Sequence, residues 1–357
     1  MPIQPLTDTH SSFQNYGQYN NDPTPEQLLK YFFLTEEDLK LVESCRSFYT
    51  KLGLAVQLCT LRFLGTFLAN PINVPAIVVQ TLENQLGFEK VNLERYRKSN
   101  DARLEHQQRL KNHLGYHDFD ESKSNQIFEL LLTKLLVVAE NTAVLFDFVT
   151  TELSEQNIVL PGATTVLKLI TKAREQANTR LYRQLAERLS KTQVAKLERL
   201  LLVPKGQHRT RFEQLRAQPV HSSATSLGQA LNRVEELRSI GISRVQLDDV
   251  AENRIAPILR FGLSVWAGTL EKHSRNRRLA TLLVVFQHLE RSAVDDALMI
   301  FDQLMQKTGL SGQRRLRKER LRTLKDLDAA ALTLRDVARV ILDSSIPANK
   351  IRKTVLE

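Results

Sequence analysis

Beyond Pro25 the hydrophobic positions recur every three or four residues almost everywhere, the period of a helix that turns one stripe towards a core. Thr35 stands before TEEDLKLVESCRS with Asp38 three residues on. This predicts a capped helix whose first-turn acids suit the helix dipole. KLGLAVQLCTLRFLGTFLAN predicts a long apolar helix with Leu54, Leu58, Leu61 and Phe63 in the core. Pro75 opens a helix that Gly87 ends, and another runs through RLEHQQRLKNHLG to Gly115. NQIFELLLTKLLVVAENTAVLFDFVTTEL is apolar nearly all round, which predicts a buried helix or a pair of helices.

Pro161–Gly162 interrupts this pattern. After it, Leu167, Ile170, Ala173, Ala177, Leu181 and Leu185 form the stripe of one amphipathic helix, with Lys168, Lys172, Arg180 and Arg183 mostly off it. TQVAKLERLLL predicts a helix ending before Pro204, and KGQHRTRFEQLRAQPVHSSATS a loop-rich join. Helices resume near Leu227 and continue to Leu342, with breaks expected near Gly241, Gly309–Gly312 and Pro347. No segment alternates as a strand does, and no repeat of fixed period occurs. The expected fold is all-α: a multi-domain helical architecture with helix-turn-helix-like units. Its expected parts are a flexible tail over 1–24, an N-terminal helical domain over 25–155, a second helical domain and join over 156–226, and a helical linker or dimerisation region over 227–357.

Composition narrows the class. A length of 357 residues suggests two or three domains, and 42% hydrophobic residues exclude wholesale disorder. There is no run of eighteen apolar residues for a membrane span, and the polar N-terminus has no apolar signal region. Two cysteines make no disulfide framework and fit a reducing cytosol. The net charge of +10 is unevenly placed: residues 1–160 hold 14 basic and 20 acidic residues, the remainder 36 and 20. A basic half this marked points to a polyanionic partner.

Candidate chemistry follows from that charge. The adjacent acids Glu36–Glu37–Asp38, Asp248–Asp249 and Asp295–Asp296 read as caps and solvated faces, because helix neighbours project about 100° apart. His113 and His117 flank Gly115, and Cys45 and Cys59 are far apart, so no zinc spacing appears. Phosphate-loop, dinucleotide and hydrolase motifs are absent. Basic clusters remain: RYRK and its continuation, HSRNRR, and QRRLRKERLRTLK, which holds seven basic residues and one acid. The candidate nucleic-acid contacts are Arg62, Arg95, Arg97, Lys98, Arg103, Arg109, Lys111, Lys168, Lys172, Arg180, Arg183, Arg275, Arg277, Arg278, Arg314, Arg315, Arg317 and Lys318. Either the Arg95–Lys111 helix or the Lys168–Arg183 helix is expected in the major groove.

The residues also carry a resemblance. LGLAVQLCTLRFLGTF (Leu52–Phe67) followed by VPAIVVQTLENQLGF (Val74–Phe88) resembles the N-terminal signature of the Tn-three family transposases, of replicative, cointegrate-forming bacterial transposons. His106, LGYHDF (Leu114–Phe119), LYRQLAERLSKTQVAKLERLLL (Leu181–Leu202), NRRLATLLVVFQHLERSAVDDALMIFDQLM (Asn276–Met305) and LKDLDAAALTLRDVARVILD (Leu324–Asp343) extend the likeness from about Leu28 to Pro347. The resemblance implies helical domains that bind the transposon's terminal inverted repeats in double-stranded DNA. It also implies a C-terminal RNase H-like domain with Asp-Asp-Glu and divalent metal, magnesium, to which no aspartate here is matched. The chain is thus expected to be the front end of such a transposase: catalytically inert alone, without cofactor, off the membrane, and cytoplasmic and nucleoid-associated in a bacterium. Two other readings stand beside it. One is a helical module that pairs with a second copy or with full-length transposase; the other is an incomplete record of an active transposase.

Overall fold

A computed structural model describes residues 16–218 and 223–342, and among them the fold is all-α, fifteen helices with no strand beyond one isolated bridge between His117 and Ile158. The chain divides into two compact units. The first is Met1–Arg188 with Leu247–Ile258 and Arg275–Ala280; the second is Leu189–Gln246 with Leu259–Ser274 and Thr281–Glu357.

The first unit holds α1 (Pro25–Tyr31), α2 (Glu36–Glu43), α3 (Phe48–Leu64), α4 (Ala76–Leu86), α5 (Glu94–Lys98), α6 (Asn100–Leu114), α7 (Glu121–Val137), α8 (Thr142–Glu155) and α9 (Ala163–Glu187). Thr35 and Asp38 form the capping box of α2, and Gly87 and Gly115 end α4 and α6 in the left-handed conformation, as the sequence predicts. At the centre is α3, with every residue from Leu52 to Leu61 buried and α1, α2, α4, α5 and α6 packed around it.

Polar side chains on so enclosed a helix must find partners inside the protein. Gln57 donates to the Tyr96 hydroxyl at 2.6 Å, and that hydroxyl lies 2.8 Å from His106 Nδ1. With Gln57 donating to the phenol oxygen, the phenol proton goes to Nδ1, and the Nε2–H faces the Cys45 sulfur at 3.6 Å. Burial lowers the His106 pKa and raises that of Tyr96, which keeps both neutral. Thr60 pairs with the Tyr19 hydroxyl at 2.9 Å. Arg62 forks onto both carboxylate oxygens of fully buried Asp38, at 2.7 and 2.8 Å, and His113 Nε2 meets the same carboxylate at 3.0 Å. Burial opposes ionisation of Asp38. Hydrogen bonds from Arg62, the Thr35 backbone and His113 outweigh it and hold the carboxyl at about 2.

The apolar run after Asn125 is the pair of helices α7 and α8, separated where Val138 is extended and Asn141 caps the second. Their core takes in α9 through Val166, Ile170, Ala173 and Ala177, so one core crosses the break expected at 155/156. Val166 takes the stripe position expected of Leu167, which is partly buried. The tail expected over 1–24 lies outside the described residues up to 15. From Tyr16 onward its aromatic side chains are packed: Tyr16 meets the Phe146 ring edge-on at 4.9 Å, and Tyr19 stacks on Phe63 at 5.6 Å.

The remaining helices are α10 (Lys191–Leu200), α11 (Arg211–Arg216), α12 (Ala224–Ile240), α13 (Glu252–Ser264), α14 (Ala267–Glu271) and α15 (Arg275–Leu342). The expected join over 205–226 carries α11, six residues closed by a Thr210–Glu213 capping box and anchored by buried Phe212 and Leu215. In the second unit Phe212 meets Phe286 at 6.0 Å, and Arg233 pairs with Asp296 at 2.7 Å. Gly241 ends α12 as expected. The break expected near Gly309–Gly312 does not occur: α15 runs through both glycines for 68 residues. Two glycines cost an exposed helix only about 1 kcal/mol each relative to alanine, and strong helix formers flank them. Pro347 lies outside the described residues.

Two glycines test this packing. A methyl group on Gly53 would stand 2.4 Å from the buried Tyr96 ring, whereas nothing lies within 4 Å of that position at Gly228 in α12. Gly53→Ala is expected to cost about 2 kcal/mol or more. Gly228→Ala is expected to add about 0.5–1 kcal/mol. Chemical denaturation followed by circular dichroism should give these opposite signs. The Asp38 carboxyl lies near 2 in the folded chain against 3.8 ordinarily. Its contribution is therefore fully present above about pH 4 and is lost as pH falls towards 2. Asp38→Asn, which leaves the partly buried Arg62 without its carboxylate, should cost about 3 kcal/mol at pH 7 and should flatten the stability profile in that acid window.

Candidate nucleic-acid interface

A cation serves a phosphate only if its donors are accessible and uncommitted, and the cations named from sequence divide on that test. Arg62 is committed to Asp38. In α5, Arg97 is bonded to Glu94 at 2.7 Å, while Arg95 and Lys98 are exposed. In α6, Arg103 donates to the Ala69 carbonyl at 2.9 Å, Arg109 donates to the Ser44 hydroxyl, and Lys111 pairs with Asp118 at 2.6 Å. The exposed face of α6 is Asp101, Leu104, Glu105, Gln108 and Asn112. Its cations hold the unit together, and the face turned to solvent is acidic and amide-bearing.

The other expected groove helix differs. Along α9 the buried stripe puts Thr165, Lys168, Thr171, Lys172, Glu175, Thr179 and Arg183 on one exposed face. From Thr165 to Arg183 this face runs about 27 Å at 1.5 Å per residue, a length suited to a major groove. Lys172 lies 5.2 Å over the Phe128 ring, and Arg183 keeps a loose 3.8 Å pair with exposed Glu187. Arg180 is half-buried. The structure thus brings Lys168, Lys172 and Arg183 to one surface. Of the HSRNRR cluster, Arg275 is exposed, Arg277 and Arg278 are half-buried, and the Arg277 guanidinium sits 5.8 Å from the Tyr182 ring centroid.

In the second unit, Arg314, Arg315, Arg317 and Lys318 are exposed on α15, and Arg320, Arg322 and Lys325 extend the same run. The exposed loop residues Lys205 and Arg209 are not among the cations singled out from sequence, because the join around them carries no helical period. Nor is Arg254, whose place in an ordinary amphipathic segment carries no signal of its burial. No three His, Cys, Asp or Glu side chains come together as metal ligands among the described residues, and no helix among them is long and apolar enough to cross a membrane. Cys45 and Cys59 are buried free thiols, the latter pushed up to about 12 by burial.

Residues 9–173 match a family described as a domain of unknown function, DUF4158. The transposase for transposon gamma-delta of Escherichia coli (strain K12) is 34% identical across the whole of this chain and 36% of its own length. The transposase for transposon Tn501 of Pseudomonas aeruginosa is 26% identical over 79% of this chain and 28% of its own, and that for transposon Tn1546 of Enterococcus faecium 22% identical over 94% and 34%. The chain spans about a third of the length of the curated relatives it matches. The α3–α4 and α9 segments that carry the resemblance lie within an alignment that runs the full chain, and the chain belongs to the Tn-three family of transposases, to their N-terminal region.

Proposed function

We propose that this chain binds double-stranded DNA at the terminal inverted repeats of a transposon, as the end-recognition part of transposition in a bacterial nucleoid. The observation that carries this reading is the exposed face of α9, where Lys168, Lys172 and Arg183 stand among threonines at helical spacing on a core shared with α7 and α8. Cations there would hold phosphates while the hydroxyl side chains between them face base edges. Exposed Arg95, Lys98 and the α15 run would add sequence-independent grip. No strand transfer is assigned to this chain and no metal to its own residues. Divalent metal would serve the family's Asp-Asp-Glu domain. Strand transfer by this chain with magnesium would overturn that part of the reading.

A second reading rests on a different observation. Leu324, Leu327, Ala331, Leu334, Ala338 and Ile341 follow alternating steps of three and four along α15. The stripe is open to solvent, with Leu327 66% and Leu334 70% exposed. That spacing is the seam of a coiled coil. We infer that a second copy of this helix pairs with it, which would let the chain co-assemble with full-length transposase.

A salt titration on inverted-repeat and scrambled duplexes tests the first reading. Affinity should fall steeply with salt and favour the repeat at about 0.15 M salt. Replacing Lys168, Lys172 and Arg183 by alanine should reduce the slope by about 0.9 for each phosphate no longer neutralised, whereas Arg103→Ala or Lys111→Ala should leave it unchanged. Equal binding of both duplexes would end the site-specific reading. For the second, light scattering over a concentration series should show a dimer that Leu327→Arg with Leu334→Arg abolishes; a monomer at every concentration would refute it.

A further inference from the structure

Arg254 in α13 is 7% exposed, a burial that a guanidinium rarely tolerates without a carboxylate. Among the described residues none pairs with it. Its single hydrogen bond is from Nη1 to the Asn178 side-chain oxygen at 3.2 Å. Nε and Nη2 are buried and have no partner. Those two atoms form the side-on edge of the guanidinium, whose parallel N–H bonds match two oxygens of one phosphate or carboxylate.

The surroundings belong to the same unit and are fixed. Arg188, just beyond α9, forks onto Asp249 at 2.6 and 2.7 Å, tying the segment before α13 to α9. Tyr182 acts electrostatically on Arg254, and the Arg277 guanidinium stands 5.8 Å from the ring of the same Tyr182. A buried cation with an unpaired two-donor edge is held in a state that an anion would relieve. Asn178 and Tyr182 are both partly exposed.

We propose that Arg254, oriented by Asn178 beside Tyr182, is an oxyanion site that takes one phosphate group through its Nε and Nη2 edge. The phosphate comes either from a DNA backbone or from free phosphate in solution. The site itself does not depend on the duplex-binding reading, and only its DNA source does.

Thermal unfolding in inorganic phosphate against chloride at matched ionic strength tests it. Wild-type protein should gain about 3 °C at roughly tenfold the phosphate Kd. Arg254→Met, which removes the buried charge, should be at least as stable as wild type in chloride and should lose the phosphate gain. Arg254→Lys, which keeps the charge without the two-donor edge, should lose most of it. A phosphate gain of wild-type size in both variants, or none in wild type, overturns the proposal, and the lysine variant decides it if the methionine variant does not fold. Duplex binding then identifies the source. A fall of about one in the salt slope of Arg254→Met assigns the phosphate to DNA, and an unchanged slope with the phosphate gain lost assigns it to free phosphate.

Discussion

The first unit is organised by the enclosure of α3. Ten consecutive residues of this helix are buried, so no face is left on which a polar side chain reaches water. Gln57, Thr60 and Arg62 nevertheless lie on or beside that stretch, and each dictates a neighbour. Gln57 requires the Tyr96 hydroxyl and so brings α5 against α3, with Gly53 leaving the room that the ring occupies. Thr60 draws in Tyr19 from the N-terminal segment. Arg62 requires Asp38, and one carboxylate then joins α2, α3 and α6 through Arg62 and His113 while its own backbone partner caps α2. The apolar contacts are non-directional; these polar ones fix which helix lies where.

That requirement explains what can be read in the sequence and what cannot. Helix periods, the Thr35 cap and the Gly87 and Gly115 stops are local, set by a few adjacent residues, and they are legible. The run after Asn125 reads equally as one helix or two, because apolarity all round does not encode where a chain turns; Asn141 as a cap does. The continuity of α15 through Gly309 and Gly312 is hidden because two glycines weaken a helix without stopping it. The short α11 is hidden because six residues show less than two turns of period.

The candidate interface is less legible than the fold. A lysine or arginine has the same letter whether it meets solvent or a partner distant in sequence. Arg103, Arg109 and Lys111 form a basic cluster in the sequence, yet Ala69, Ser44 and Asp118 engage them one by one. The α9 cations differ because the buried stripe is periodic: once Ile170, Ala173 and Ala177 are assigned inward, Lys168 and Lys172 must lie outward. Exposure can be inferred where a regular helix sets it and not where a single long-range pair does. Arg254 is the extreme case, a charge buried by tertiary packing in a segment of unremarkable pattern.

The same reasoning bears on α15, where two demands fall on one exposed helix. Between Gln313 and Lys325 seven cations face one acid, a density that repels itself unless a polyanion or salt screens it. From Leu324 to Ile341 the demand is apolar, since a stripe of leucines in water is covered only by another surface of like kind. The centres of the two stretches lie about 14 residues apart, or roughly 20 Å along the axis. A partner on the leucine seam would therefore leave the basic turns open. In a parallel pair it would set two basic segments side by side, where a duplex phosphate backbone would offset their mutual repulsion. Pairing and DNA contact on this helix would then support each other electrostatically, more strongly at low salt than at high.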